Sequence, residues 1–99
     1  MPATRPTASS PAVHRSTIPV LVYGTKWCAH TQMVRRFLDR QGVSYIYCDM
    51  DDDKEAAQQV YWWSGGYYSH PTVQIGGNIL VEPSLDEVRL ALKQLAITE

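Results

Sequence analysis

The sequence has few cysteines, no excess of either charge and no long apolar run, and each shortage removes a class of protein. Two cysteines, Cys28 and Cys48, are too few for a disulfide scaffold or an all-cysteine zinc site. A net charge of −1 leaves no electrostatic footprint for nucleic acid. The strongest apolar runs, such as Ile18-Pro19-Val20-Leu21-Val22-Tyr23, fall far short of a bilayer span, so no membrane helix is expected. What is present is 99 residues, 44% hydrophobic and 19% charged, which suits one compact domain with a core and not two.

The balanced charge hides an asymmetry. Residues 1–48 carry +5 and residues 49–99 carry −6, with Asp49, Asp51, Asp52 and Asp53 gathered at one point of the chain. That acidic run reads as a solvated turn and a helix start. Residues 1–17, with three prolines and no apolar period, read as a disordered tail. They lack the apolar core of a secretory signal, although an acid-free segment with Arg and Ser also has the character of an organelle transit peptide. The folded domain is expected over residues 18–99.

Within that domain, Pro19–Tyr23 is a β-branched run ended by Gly24 and predicts a buried strand. From Cys28 to Gln41, Met33, Val34, Phe37 and Leu38 form one helical face opposite Arg35, Arg36, Asp39 and Arg40, and Gly42 stops the helix. Ser44–Asp49 predicts a second strand, and Lys54–Trp62 a second helix. Thr72–Ile75 and Ile79–Val81, joined by a Gly76-Gly77-Asn78 turn, predict a hairpin. Ser84 and Glu87, three apart after Pro83, form a capping box for a helix with Leu85, Val88, Leu92 and Leu95 on one stripe. The order is βαβ, then α, then ββα: a small α/β domain with a four-stranded mixed sheet and helices on both faces.

Cys28 falls where the first strand gives way to the first helix. Unpaired N–H groups and the helix dipole stabilise a thiolate there, with Lys26 adding positive potential. The thiolate is the nucleophilic form, so this placement points to thiol–disulfide exchange; the alternative is a small buried thiol without a task. Thr31, three residues on, excludes a Cys28–31 disulfide cycle. Its hydroxyl either hydrogen-bonds the thiolate or is simply an exposed polar group.

The segments Tyr23-Gly24-Thr25-Lys26-Trp27-Cys28, Ser69-His70-Pro71-Thr72-Val73, Gly76-Gly77 and Pro83-Ser84-Leu85-Asp86-Glu87-Val88 together resemble the glutaredoxin family, in particular its mycoredoxin-like branch. The resemblance spans residues 18–96. It implies a thioredoxin-like fold, Cys28 as the attacking cysteine and a cis Pro71 beside it. It also implies a groove for the thiol co-substrate bordered by Lys26, Trp27, His30, His70, Pro71, Gly76, Gly77 and Ser84. Where the family usually has Cys-Pro-aromatic-Cys or Cys-Gly-aromatic-Cys, this chain has Cys28-Ala29-His30-Thr31.

His30 reads either as an aid to the thiolate or as an exposed groove residue. With Cys28 it supplies only two ligands, which close no metal site, so no metal is expected. Cys48 alternates in phase with Ile46 and Met50 and reads as a buried thiol rather than a distant resolving one. Trp62, Trp63, Tyr67 and Tyr68 read either as core or as a contact surface for a disulfide partner.

Three functions are carried forward. The leading one is a cytoplasmic, monomeric, single-cysteine oxidoreductase that reduces mixed disulfides between proteins and a small thiol, glutathione or mycothiol, as co-substrate. The second is a non-catalytic thioredoxin-like binding module, and the third an iron–sulfur carrier in which Cys28 of two chains and two external thiols hold a cluster. Neither nucleic acid nor membrane is an expected partner.

Overall fold

The structure is a computed structural model and describes residues 19–98. The tail expected over residues 1–17 lies outside them.

The described chain runs β1 (Val20–Gly24), α1 (Ala29–Arg40), β2 (Ile46–Asp49), α2 (Lys54–Trp63), β3 (Thr72–Ile75), β4 (Asn78–Val81) and α3 (Leu85–Thr98). The four strands form one mixed sheet in the order β2-β1-β3-β4. β1 and β2 are parallel, as a strand–helix–strand crossover requires, whereas β1/β3 and β3/β4 are antiparallel.

Strand β1 is buried along its whole length because both faces of the sheet are covered. Val20 and Val22 face one way, into a core with Val34, Phe37 and Leu38 of α1 and Val88 and Ala91 of α3. Leu21 and Tyr23 face the other, with Cys48, Met50 and Ala56 and Val60 of α2. Cys48 is thus a core side chain, as its alternation with Ile46 and Met50 implied.

The helices differ from expectation in one respect that bears on the site. In α1 the buried residues are Thr31, Val34, Phe37 and Leu38, while Met33 is exposed. At 3.6 residues per turn Met33 sits about 100° round from Val34, off the stripe that Thr31 completes. Cys28 is the N-cap of α1 and not its first residue. α2 is capped by Asp53, which accepts from the Ala56 N–H at 3.0 Å.

Strand boundaries also shift slightly. β2 begins at Ile46, so Ser44 and Tyr45 precede it. Asn78 pairs with Ile75, which leaves a two-residue turn, Gly76-Gly77. Gly76 has φ +61°, the left-handed region that a tight hairpin takes at its first central residue and that glycine enters without strain. The capping box forms as expected: Ser84 Oγ accepts from the Glu87 N–H at 3.1 Å, and Glu87 Oε1 from the Ser84 N–H at 2.7 Å.

Candidate active site

Strand direction decides which connections meet. β1 ends where β2 ends, because the two are parallel, and where β3 begins, because Tyr23 pairs with Thr72. Thr72 pairs in turn with Val81, so β4 ends there too. The connections after β1 and β2, before β3 and from β4 into α3 therefore converge on one end of the sheet. Cys28, the half-buried N-cap of α1, stands in this convergence.

The contacts among the loops are specific. The Trp27 ring meets the His70 ring edge-on with centroids 5.2 Å apart. The His70–Pro71 peptide is cis, as the resemblance implied. The Pro71 carbonyl accepts from the Glu82 N–H at 2.8 Å, which fastens the start of β3 to the chain leaving β4. His30 Nε2 lies 2.8 Å from the Pro83 carbonyl oxygen. A carbonyl only accepts, so Nε2 carries the hydrogen and the ring ties the first turn of α1 to the chain entering α3. Ser84 follows at once, its own groups committed to the capping box.

By helix geometry the first N–H groups of α1 have no acceptor within the helix, and the first intrahelical bond is Gln32 N–H to the Cys28 carbonyl, at 3.1 Å. The positive end of the helix therefore opens at the Cys28 side chain, whose sulfur makes no capping bond with the helix.

Thr31 is 0% exposed, which overturns the picture of an exposed polar residue. The alternative is not formed either, because its Oγ1 has no hydrogen-bond partner and so none in Cys28. Thr31 packs instead against Gly24, where the missing side chain makes room.

Gly76 and Gly77, expected at the groove, lie at the opposite end of the sheet. The Gly76 N–H donates to Pro19 O at 2.7 Å, beside the start of β1, and Ile75 pairs with Val20. The hairpin turn must fall there, since β3 leaves the Cys28 end and β4 returns to it. The connection that does return is Glu82-Pro83-Ser84, and Glu82 at φ +49° makes its bend. Of the candidates named from the sequence, Lys26, Trp27, Cys28, His30, His70, Pro71 and Ser84 share one end; the two glycines do not.

Sequence reasoning overlooked the acidic turn as part of this neighbourhood. Asp51 Oδ2 accepts from the Trp27 indole N–H at 3.0 Å, and Lys26 Nζ is 3.8 Å from Asp49 Oδ2. Asp49 is the parallel partner of Gly24, and that register was the available signal. Of the arginines on α1, Arg35 faces away from the site, donating to Tyr45 OH at 3.2 Å and lying over the Tyr47 ring. The charge beside Cys28 is therefore mixed, with carboxylates as well as Lys26. Among the described residues no group of three or more His, Cys, Asp or Glu is arranged to hold a metal ion. No described helix is long and apolar enough to cross a membrane.

The sequence pattern of the family described as Glutaredoxin matches residues 20–80, more than half of the chain. This chain belongs to the glutaredoxin family. A Mycobacterium tuberculosis H37Rv protein with a provisional glutaredoxin name is 31% identical over 81 residues, covering 81% of this chain and 96% of its own length. Among solved structures, the glutaredoxin of Archaeoglobus fulgidus superposes with a TM-score of 0.68 at 26% identity, covering 76% of this chain and 86% of the other. A buckwheat glutaredoxin–glutathione complex shares the fold at a TM-score of 0.63 and 19% identity, over 78% of this chain and 74% of its own. The sheet order, the helices on both faces and these neighbours make the fold thioredoxin-like.

Proposed function

We propose that this glutaredoxin is a single-cysteine thiol–disulfide oxidoreductase acting on mixed disulfides between proteins and a low-molecular-weight thiol. The observation that carries the reading is the pairing of Cys28 with Thr31. The one is half-buried at the open N-terminus of a helix, and the other fills the place of a second cysteine as a buried, packed side chain.

The cycle uses one protein thiol. The Cys28 thiolate attacks the small-thiol sulfur of the mixed disulfide, forming Cys28–S–S–R and releasing the protein thiolate, which takes a proton from water. A second small thiolate attacks the R sulfur, giving R–S–S–R and regenerating Cys28. In net, the mixed disulfide and one small thiol become the protein thiol and the small disulfide R–S–S–R, and position 31 takes no part. Trp27, His70 and cis Pro71 flank the approach, with His30 holding the groove edge through Pro83. The co-substrate is glutathione or mycothiol; membership of the family and the buckwheat complex support a thiol of this kind. We place the protein in a reducing cytoplasm, where such thiols supply the electrons, and take it to act as a monomer.

The test is reduction of a glutathionylated and of a mycothiolated protein by wild type and by Cys28→Ser. Turnover by wild type alone is expected, and equal rates would overturn the proposal. Mass spectrometry of the Cys28 adduct after exposure to each small disulfide then names the co-substrate.

A further inference from the structure

On the α2 face of the sheet, Trp27, the chain neighbour of Cys28, lines a cavity of about 320 Å³ together with Tyr68, His70, Asp51, Thr25 and Met50, among others. Its walls are aromatic and largely exposed to solvent, Trp27 being 71% and Tyr68 57% exposed. Two of its lining residues carry buried polar atoms without partners. Thr25 is only 3% exposed and its Oγ1 has no hydrogen-bond partner, and the buried His70 Nδ1 has none. Asp51 spends Oδ2 on the Trp27 indole and carries its negative charge into the lining.

We infer that this cavity takes an arginine side chain from the protein half of the mixed disulfide. A guanidinium offers several N–H donors in one plane, which suits a lining that carries the Asp51 carboxylate and the unpartnered Thr25 hydroxyl. Aromatic faces accept the same cation by its charge. Asp52, next to Asp51 in the chain, adds potential of the same sign, while Asp49 is offset by Lys26 at 3.8 Å and Asp53 by the helix end that it caps. The occupant comes from a protein because the cavity opens onto a wider apolar surface. Tyr68 contacts Tyr61 with centroids 5.0 Å apart, Tyr61 contacts Trp62 at 6.0 Å, and Trp62 and Tyr67 are exposed. Exposed aromatics around a polar anchor pocket are the anatomy of a protein-binding patch.

The inference rests on the Cys28 reading for where the partner docks, so its test separates the two. Glutathionylated peptides with Arg, norleucine or Glu beside the modified cysteine are compared as substrates of wild type and of Asp51→Asn. Asn keeps an acceptor for the Trp27 indole and removes the charge. The expected kcat/KM ratio of Arg to norleucine is about tenfold in wild type and close to one in Asp51→Asn, with Glu the poorest substrate of wild type. A ratio near one in wild type, or an unchanged ratio in the variant, overturns the inference. Binding is read without chemistry by titrating Cys28→Ser with peptides carrying Ala for Cys and following the Trp27 indole N–H resonance. Tighter binding of the Arg peptide supports the cavity even if no turnover is found, and equal binding of Arg and norleucine peptides overturns it. S-methylglutathione moving that resonance more than the Arg peptide would assign the cavity to the small thiol and overturn it as well.

Discussion

Thr31 stands so close over Gly24 that a Cβ on the glycine would meet its Oγ1 at 2.5 Å and its methyl carbon at 2.6 Å. The last residue of β1 and the first turn of α1 are therefore packed together with no side chain between them, just where the chain turns through Cys28. Gly24→Ala should destabilise the protein by roughly 1–3 kcal/mol through overpacking. Adding Thr31→Ala should recover much of that loss, because it removes the atoms the new methyl strikes. Urea unfolding of the two single variants and the double one checks the coupling, and additive losses would refute it.

The same packing makes a second cysteine testable. Residues three apart on a helix have Cβ atoms about 5–6 Å apart, and small rotations bring such thiols into bonding range. Thr31→Cys should form a reversible disulfide with Cys28, seen as the loss of two hydrogens by mass and as two thiols that titrate together. Cys48, buried on the opposite face of the sheet among Leu21, Tyr23 and Val60, should stay reduced throughout. A product that pairs Cys48 instead would contradict the placement of both residues.

What could be read in the sequence was what local chemistry writes down. Ser84 and Glu87 announce their capping box by spacing alone, and Cys48 its burial by alternation with Ile46 and Met50. Gly76-Gly77 shows where this stops. A glycine doublet marks a turn but carries nothing about which end of a sheet the turn occupies; only following β3 away from Thr72 and β4 back to Val81 places it opposite Cys28. Thr31 was missed for a related reason. It stands three residues before Val34 and seven before Leu38 on the buried stripe, but a hydroxyl does not read as a core side chain, and the room for it is made by a glycine on another element. The acidic turn was legible through the parallel register of Gly24 and Asp49, yet charge counted along the chain set it apart from the cysteine.

The capping box of α3 holds the chain beside Pro83, which His30 grips through its carbonyl. Ser84→Ala should cost about 1 kcal/mol of stability, as loss of a helix N-cap typically does, and Ser84→Asp should keep most of it. If α3 frays at its start, the His30 contact loosens with it, so turnover should fall further in the alanine variant than in the aspartate one. Urea midpoints and initial rates on the same samples decide this. Equal stability of wild type and Ser84→Ala would mean that the reciprocal bonds contribute nothing.

Tyr47 gives a pH signature away from the site. Its hydroxyl is buried without a partner, and the Arg35 guanidinium lies over its ring at 3.9 Å. Burial, then the negative charge of Asp49, raises its pKa above the ordinary 10.0, with Asp51 and Asp52 adding and Arg35 opposing. Because the folded protein holds this proton more tightly than the unfolded chain, the contribution to stability is fully present below pH about 10. It is lost as pH rises through the folded-state value. Tyr47→Phe removes the titrating group together with an unpaired hydroxyl, so at pH about 8 it should be neutral or slightly stabilising. Above pH about 10, wild type should lose stability more steeply than the variant. Denaturant midpoints from pH about 8 to 11 test the sign, and parallel curves for the two proteins would show that Tyr47 holds its proton no more tightly folded than unfolded.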